Sequence, residues 1–163
     1  MPSPRLVLPP TEHDWDALRA ELQIPTAFPV EVEAEAAEAA KHPELPDRDL
    51  TDLPFLTIDP TGSVDLDQAM ALSPAGSGYL VRYAIADVAA FVRPGAAVDL
   101  EAHRRGETLY SPDLRTPLHP TVLSEQAASL LQDQVRPALV WELALDEHGA
   151  LTGTTVGRAL VRS

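Results

Sequence analysis

The residues of this chain best suited to chemistry are three aspartates in one stretch, Thr57-Ile58-Asp59-Pro60-Thr61-Gly62-Ser63-Val64-Asp65-Leu66-Asp67-Gln68. Carboxylate oxygens are what a hard divalent cation takes. Mg²⁺ prefers a near-octahedral shell of oxygens, keeps several waters, and binds through one or two carboxylates plus substrate phosphate. Such an ion neutralises non-bridging phosphate oxygens, lowers the pKa of an attacking water and stabilises the leaving oxygen. Spacing alone does not decide for this chemistry. Aspartates after strands are also common turn formers and helix caps, because their side chains accept from nearby backbone N–H groups, and on spacing alone that structural reading leads. A calcium loop is excluded, since no Asp-x-Asp-x-Asp-Gly run with a terminal Glu is present.

The flanking elements must aim these carboxylates. Phe55-Leu56-Thr57-Ile58 is apolar and β-branched and reads as a buried strand, ended by the turn chemistry of Asp59-Pro60-Thr61-Gly62, so that Asp59 sits at the strand's mouth. Asp65 and Asp67 are two apart. In an extended chain they point to one side while Val64, Leu66 and Gln68 point to the other. Gln68 to Leu72 and Tyr79 to Ala86 flank a loop over 73–78 and predict a hairpin. Asp99 predicts the cap of a helix from Leu100 to Thr108, on which the adjacent Arg104 and Arg105 face different directions. Leu123 to Leu131 has helical apolar spacing, and Leu139 to Leu145 with Leu151 to Val161 predict a second hairpin around Asp146-Glu147-His148-Gly149.

Upstream, residues 1–10 are proline-rich and read as extended. Asp14 caps a short helix bearing Trp15, Leu18 and Leu22, stopped by Pro25. Val30 to Lys41 is a run of strong helix formers with little hydrophobic bulk and reads as a solvated helix. His42 to Asp52, with Pro43 and Pro46, reads as a linker.

A length of 163 residues and an apolar share of 45% allow one domain with a single core. The absence of cysteine excludes disulfide scaffolds, thiolate zinc sites and cysteine nucleophiles. No apolar run reaches the length of a membrane span and the amino terminus lacks a signal-peptide core, so a soluble, cytoplasmic protein without a membrane partner is expected. The net charge of −13 argues against a broad basic surface laid along nucleic acid. Residues 1–50 hold 11 acids and 4 bases (−7) and residues 51–163 hold 14 acids and 8 bases (−6), so half the excess lies outside the aspartate region.

The order of motifs resembles the RNB catalytic domain of the ribonuclease II and ribonuclease R family. The blocks run from about Pro46 to Ser163: Leu53-Pro54-Phe55-Leu56-Thr57-Ile58-Asp59, Asp65-Leu66-Asp67-Gln68-Ala69, Tyr83-Ala84-Ile85-Ala86-Asp87-Val88, Val92-Arg93-Pro94-Gly95, Arg105-Gly106 leading to Tyr110, Pro117-Leu118-His119-Pro120, Leu123-Ser124 and Ser129-Leu130. The resemblance implies a Mg²⁺-dependent processive 3′ to 5′ exoribonuclease, with Mn²⁺ as an alternative ion, that cuts single-stranded RNA to 5′-nucleoside monophosphates. It implies an α+β fold: a mixed, mainly antiparallel sheet or partial barrel with packed helices. Residues 1–45 would be a helical extension and linker, and residues 46–163 the N-terminal portion of the domain.

By the same resemblance, Asp59, Asp65 and Asp67 match metal-site aspartates, with Mg²⁺ on Asp59 and Asp65 and a second ion or the attacking water oriented by Asp67. Gln68 stands where many relatives have a fourth aspartate, as in a subgroup associated with actinobacterial and deinococcal sequences, and offers a neutral carbonyl oxygen as ligand. Tyr110 matches a tyrosine that packs on the 3′-terminal nucleotide, a role that suits a ring able to stack on any base. Arg104 and Arg105 are candidates for phosphate contact against the ordinary reading of solvated helix-surface arginines. Asp87 reads as an orienter of a ligand or the cap of a turn, and His119 as structural. Relatives extend well past residue 163, into a part with an arginine and a glutamate at the scissile site. The expectation is therefore a fragment, a truncated gene product or one piece of a split enzyme, with the remainder of the domain as a complementing partner. The alternative is a catalytically incomplete module that binds RNA 3′ ends or a partner chain.

Overall fold

The computed structural model describes residues 14–163, so the proline-rich reading of residues 1–10 lies outside the described residues. In chain order it contains α1 (Trp15–Glu21), α2 (Val30–Ala39), β1 (Gln68–Ala75), β2 (Gly78–Ala86), a 3₁₀ turn (Val88–Ala90), α3 (Ala97–Arg105), β3 (Leu109–Tyr110), β4 (Arg115–Thr116), a π-helical turn (Leu123–Ala127), β5 (Val135–Leu145) and β6 (Leu151–Arg162). The expected α+β class is what the structure has, with an open antiparallel sheet in the order β1-β2-β5-β6 and, among the described residues, no closed barrel. Both predicted hairpins are present and longer than their apolar cores suggest. The first closes on Gly76 and Ser77, with Gly76 at φ +61°, where only glycine is unstrained.

Strand alternation decides which sheet face is covered. Ala69, Ala71, Ala84, Ala138, Val140, Ala159 and Val161 line one face and join Phe55, Leu66 and Leu130 in the main core. Leu72, Tyr79, Leu139, Trp141 and Val156 stay exposed. The chain before β1 closes over the small-residue face. Leu50 donates its N–H to the Leu160 carbonyl at 2.9 Å, and Leu160 donates to Arg48 at 2.8 Å, at the β6 edge; Leu56 then bridges Met70 at the β1 edge. Between these points Leu50, Leu53 and Phe55 pack onto the core, and both sheet edges gain partners for their backbone groups.

Two expectations are corrected here. Residues 42–52 do not form a free linker, because they are pinned to β6. Phe55–Ile58 is not a buried strand: Phe55 is buried, but Ile58 is 78% exposed and Leu56 is the only residue of the run bridged to the sheet. Pro54 and Pro60 bracket the run and carry no N–H for a ladder.

The helices form a second cluster, with Val32, Ala36, Ala90, Phe91, Val98, Leu123 and Ala128 at its centre. The expected solvated helix is thus docked on one side, its alanines letting α3 approach closely. The expected cap of α3 also differs. The helix starts at Ala97, and the Glu35 carboxylate of α2 accepts from the N–H groups of Ala97 (2.9 Å) and Val98 (3.4 Å). Asp99 sits in the first turn and reaches back to the Gly95 N–H at 2.8 Å. Asp14 does cap α1, accepting from Ala17 at 2.9 Å. Among the described residues no helix is long and apolar enough to cross a membrane.

Candidate active site

Leu66 is the pin that aims the aspartates. Its side chain is buried in the main core, its N–H donates to Ser129 Oγ at 2.8 Å, and its carbonyl accepts from the Leu130 N–H at 2.9 Å. With Leu66 held inward, the period-two alternation of an extended chain turns Asp65 and Asp67 outward together. The Asp67 carbonyl then accepts from Ala86 at 2.9 Å and leads the chain into β1.

Two concavities meet on this ridge. One, of about 220 Å³, is lined by Asp59, Asp65, Asp67 and Gln68 with Leu56, Ile58, Met70 and Tyr83. The other, of about 420 Å³, shares Asp65, Asp67 and Gln68 and is walled by Ile85, Val88, Thr108, Tyr110, Arg115, Leu118, His119 and Ser124. Gln68 therefore joins the aspartates instead of pointing away, because the chain enters the β1 ladder at Gln68 opposite Ile85 and the alternation restarts there. Its side-chain oxygen accepts a hydrogen bond from the Tyr83 hydroxyl.

The electrostatics follow from the crowding of like charges. Asp67 is held above its ordinary value, first by partial desolvation and then by the neighbouring charges of Asp65 and Asp59, with Arg115 opposing. Arg115 donates from Nη1 to Asp65 Oδ2 at 2.5 Å and pairs through Nη2 with Glu125. Burial pushes His119 below its ordinary value, leaving a neutral imidazole in the second concavity at pH 7. Tyr110 is 76% exposed, an open ring beside the same cavity.

Arg104 and Arg105 line neither concavity. The Arg105 side chain is 2% exposed and is committed to Glu101 (2.8 Å), the Pro117 carbonyl (3.1 Å), the Ala27 carbonyl (2.7 Å) and the face of Phe28. Arg104 clamps Glu101 at 2.7 and 2.6 Å. Both arginines therefore serve the helical layer in this structure. Asp87 is buried and accepts from Arg158 Nε at 2.6 Å, and it too lines neither concavity. Arg115 and Glu125 carry no signal in the sequence, and Ser129 enters it only through the Ser129-Leu130 block, which does not announce its bond to Leu66. Their partners lie far along the chain, and no local pattern announces them.

Among the described residues, no three His, Asp or Glu side chains are gathered tightly enough to hold a metal ion as they stand. The carboxylates of Asp59, Asp65 and Asp67 nonetheless share the first concavity with the Gln68 amide oxygen, and oxygen ligands are what a hard divalent cation prefers.

An open antiparallel sheet with an acidic ridge at the entry to its first strand, flanked by an exposed tyrosine, defines the class: an α+β domain with a carboxylate cleft beside an aromatic platform. Residues 47–163 match the RNB domain family, and the chain belongs to that family. Exoribonuclease 2 of Proteus mirabilis is 38% identical over 121 residues, 74% of this chain and 19% of that protein. The structure of Mycoplasma genitalium RNase R in complex with ribose methylated single-stranded RNA matches with a TM-score of 0.81 and 31% identity, over 91% of this chain and 24% of that one. Yeast Ssd1, a pseudonuclease, shares the fold at 20% identity and a TM-score of 0.64, over 83% of this chain and 16% of that one. The chain thus spans about a fifth of the length of the Proteus mirabilis relative.

Proposed function

We propose that these residues supply the aspartate-bearing part of a Mg²⁺-dependent 3′ to 5′ exoribonuclease that hydrolyses single-stranded RNA to 5′-nucleoside monophosphates. The observation that carries this reading is the shared ridge. Asp65 and Asp67 face a third carboxylate on one side and the exposed Tyr110 on the other, so phosphate chemistry and base stacking are adjacent. A Mg²⁺ or Mn²⁺ ion held by Asp59, Asp65 and Asp67 would supply charge neutralisation to the phosphodiester oxygens and activate a water. Tyr110 stacks on the terminal base, which needs no sequence preference. Asp67 orients the attacking water; water adds to phosphorus and the 3′ oxygen of the preceding nucleotide leaves, releasing the terminal nucleotide with its 5′-phosphate. The apolar wall of Ile85, Val88 and Leu123, with His119 beside it, offers the terminal nucleotide an uncharged surface next to the charged groups of Asp65, Asp67 and Arg115.

A catalytically incomplete module that binds RNA 3′ ends or a partner chain is the second reading. It is favoured by the engagement of the Gln68 oxygen with Tyr83 and of Asp65 with Arg115. The two are separated by digestion of a 5′-labelled single-stranded RNA with Mg²⁺, beside EDTA-treated and Asp67→Asn samples. The enzyme reading expects a ladder that shortens from the 3′ end and is abolished in both controls. Intact RNA that is nevertheless bound by the folded chain selects the module.

A further inference from the structure

The ridge carries a positive charge of its own. Arg115 lies on β4, between Asp65 at 2.5 Å and Glu125 on the π-helical turn. Its side chain is 28% exposed, and Asp65 and Glu125 are themselves only 37% and 24% exposed. Three half-covered charges in a row are arranged so that one cation answers two carboxylates. One of these carboxylates belongs to the acidic concavity; the other does not line it.

A guanidinium and a divalent cation compete for the same carboxylate oxygen, because each satisfies it by close electrostatic contact and neither shares the space. We propose that Arg115 is the built-in counter-cation of the aspartate ridge: it holds Asp65 in the metal-free chain and yields to a divalent cation by withdrawing onto Glu125. This rests on the metal-dependent reading above and adds a device to it, in which Glu125 sets how readily Asp65 is released. Glu125 needs no contact with the metal for this role. The arrangement also accounts for the absence of a closed metal cluster among the described residues, since one Asp65 oxygen faces Arg115.

The test is Mn²⁺ binding to the full chain, with free ion counted by its electron paramagnetic resonance signal, across a double-mutant cycle. Arg115→Met removes the competitor and should tighten Mn²⁺ binding on the order of tenfold, the scale of a close charge pair. Glu125→Gln leaves Asp65 as the only carboxylate for Arg115 and should weaken binding. In the double variant the Glu125→Gln effect should vanish, because it acts only through Arg115. Arg115→Gln repeats the cycle if methionine disturbs the hairpin.

An unchanged affinity in Arg115→Met, with binding lost in Asp65→Asn, would overturn the competition while leaving the metal site standing. An equal Glu125→Gln effect with and without Arg115 would reduce Glu125 to background field and overturn the device. No Mn²⁺ bound by any variant would overturn both the competition and the metal-dependent reading.

Discussion

Arg19 of α1 grips Asp113 across 94 residues, Nη1 to Oδ1 at 2.9 Å and Nη2 to Oδ2 at 2.8 Å. The same guanidinium reaches Ser111 Oγ at 3.3 Å and Asp16 at 2.7 Å. Asp113 and Ser111 belong to the loop between β3 and β4, the ladder that carries Tyr110 and Arg115. The first helix therefore holds the platform at the ridge. Arg19→Met should raise amide hydrogen exchange in residues 109–116 on the order of tenfold, as expected for loss of a bidentate charge-assisted pair. Exchange in β5 and β6 should not change. Arg19→Lys should not restore protection, because a lysine cannot make the forked contact; mass spectrometry of the exchanged peptides reads both variants.

Tyr110 makes little use of its ring in the folded chain, so its removal isolates the proposed stacking. Tyr110→Ala should weaken binding of a fluorescein-labelled single-stranded RNA by about 1–3 kcal/mol, measured by anisotropy in EDTA so that cleavage does not intervene. Tyr110→Phe should bind as the parent does. Wild-type affinity in Tyr110→Ala would remove the ring from the proposed mechanism.

Two glycines in the sheet make opposite predictions. A Cβ on Gly78 would lie 2.0 Å from the Leu145 carbonyl oxygen, a backbone atom of the neighbouring strand that cannot step aside. Gly78→Ala should cost about 1–3 kcal/mol or more in urea unfolding. A Cβ on Gly153 meets only the Ala144 Cβ at 3.8 Å, ordinary contact. Gly153→Ala should fall within about 0.5 kcal/mol of the parent.

Glu101 provides the pH dependence. It is 6% exposed and is held below its ordinary value of 4.5 by hydrogen bonds from Arg104 first and then Arg105, against the opposing cost of burial. The unfolded chain takes up this proton at a higher pH than the folded chain does. The contribution is therefore complete above about pH 4.5 and is lost as pH falls through the lowered folded value. Glu101→Gln leaves the enclosed Arg105 without its carboxylate and should cost about 3 kcal/mol at pH 7. The gap between parent and variant should narrow steadily below pH 4.5 in denaturant titrations.

Features whose partners are near in sequence were legible in it. Asp14 caps α1 three residues away, both sheet hairpins follow from alternating segments around turn residues, and Asp65 and Asp67 share a side because an extended chain alternates. The blocks from Leu53 to Leu130 were enough to mark the resemblance to the RNB domain. Other features were not, for identifiable reasons. An alanine-rich helix reads as solvated because alanine adds little hydrophobic bulk, although its small side chains are what permit close docking on α3. Phe55–Ile58 has strand composition, but flanking prolines and the crossing path over the sheet leave it one bridged residue.

What the sequence determined by itself was therefore the local structure and the set of carboxylates able to do chemistry, since turns, caps and alternation act over a few residues. The tertiary structure decided how those carboxylates are used. Glu35 caps a helix 62 residues on, Ser129 pins Leu66 from 63 residues away, and Arg115 meets Asp65 across 50. Arg104 and Arg105 are drawn instead onto Glu101, within their own helix. A charged side chain finds its partner by where packing carries it, and that position depends on contacts between distant segments that no local pattern encodes.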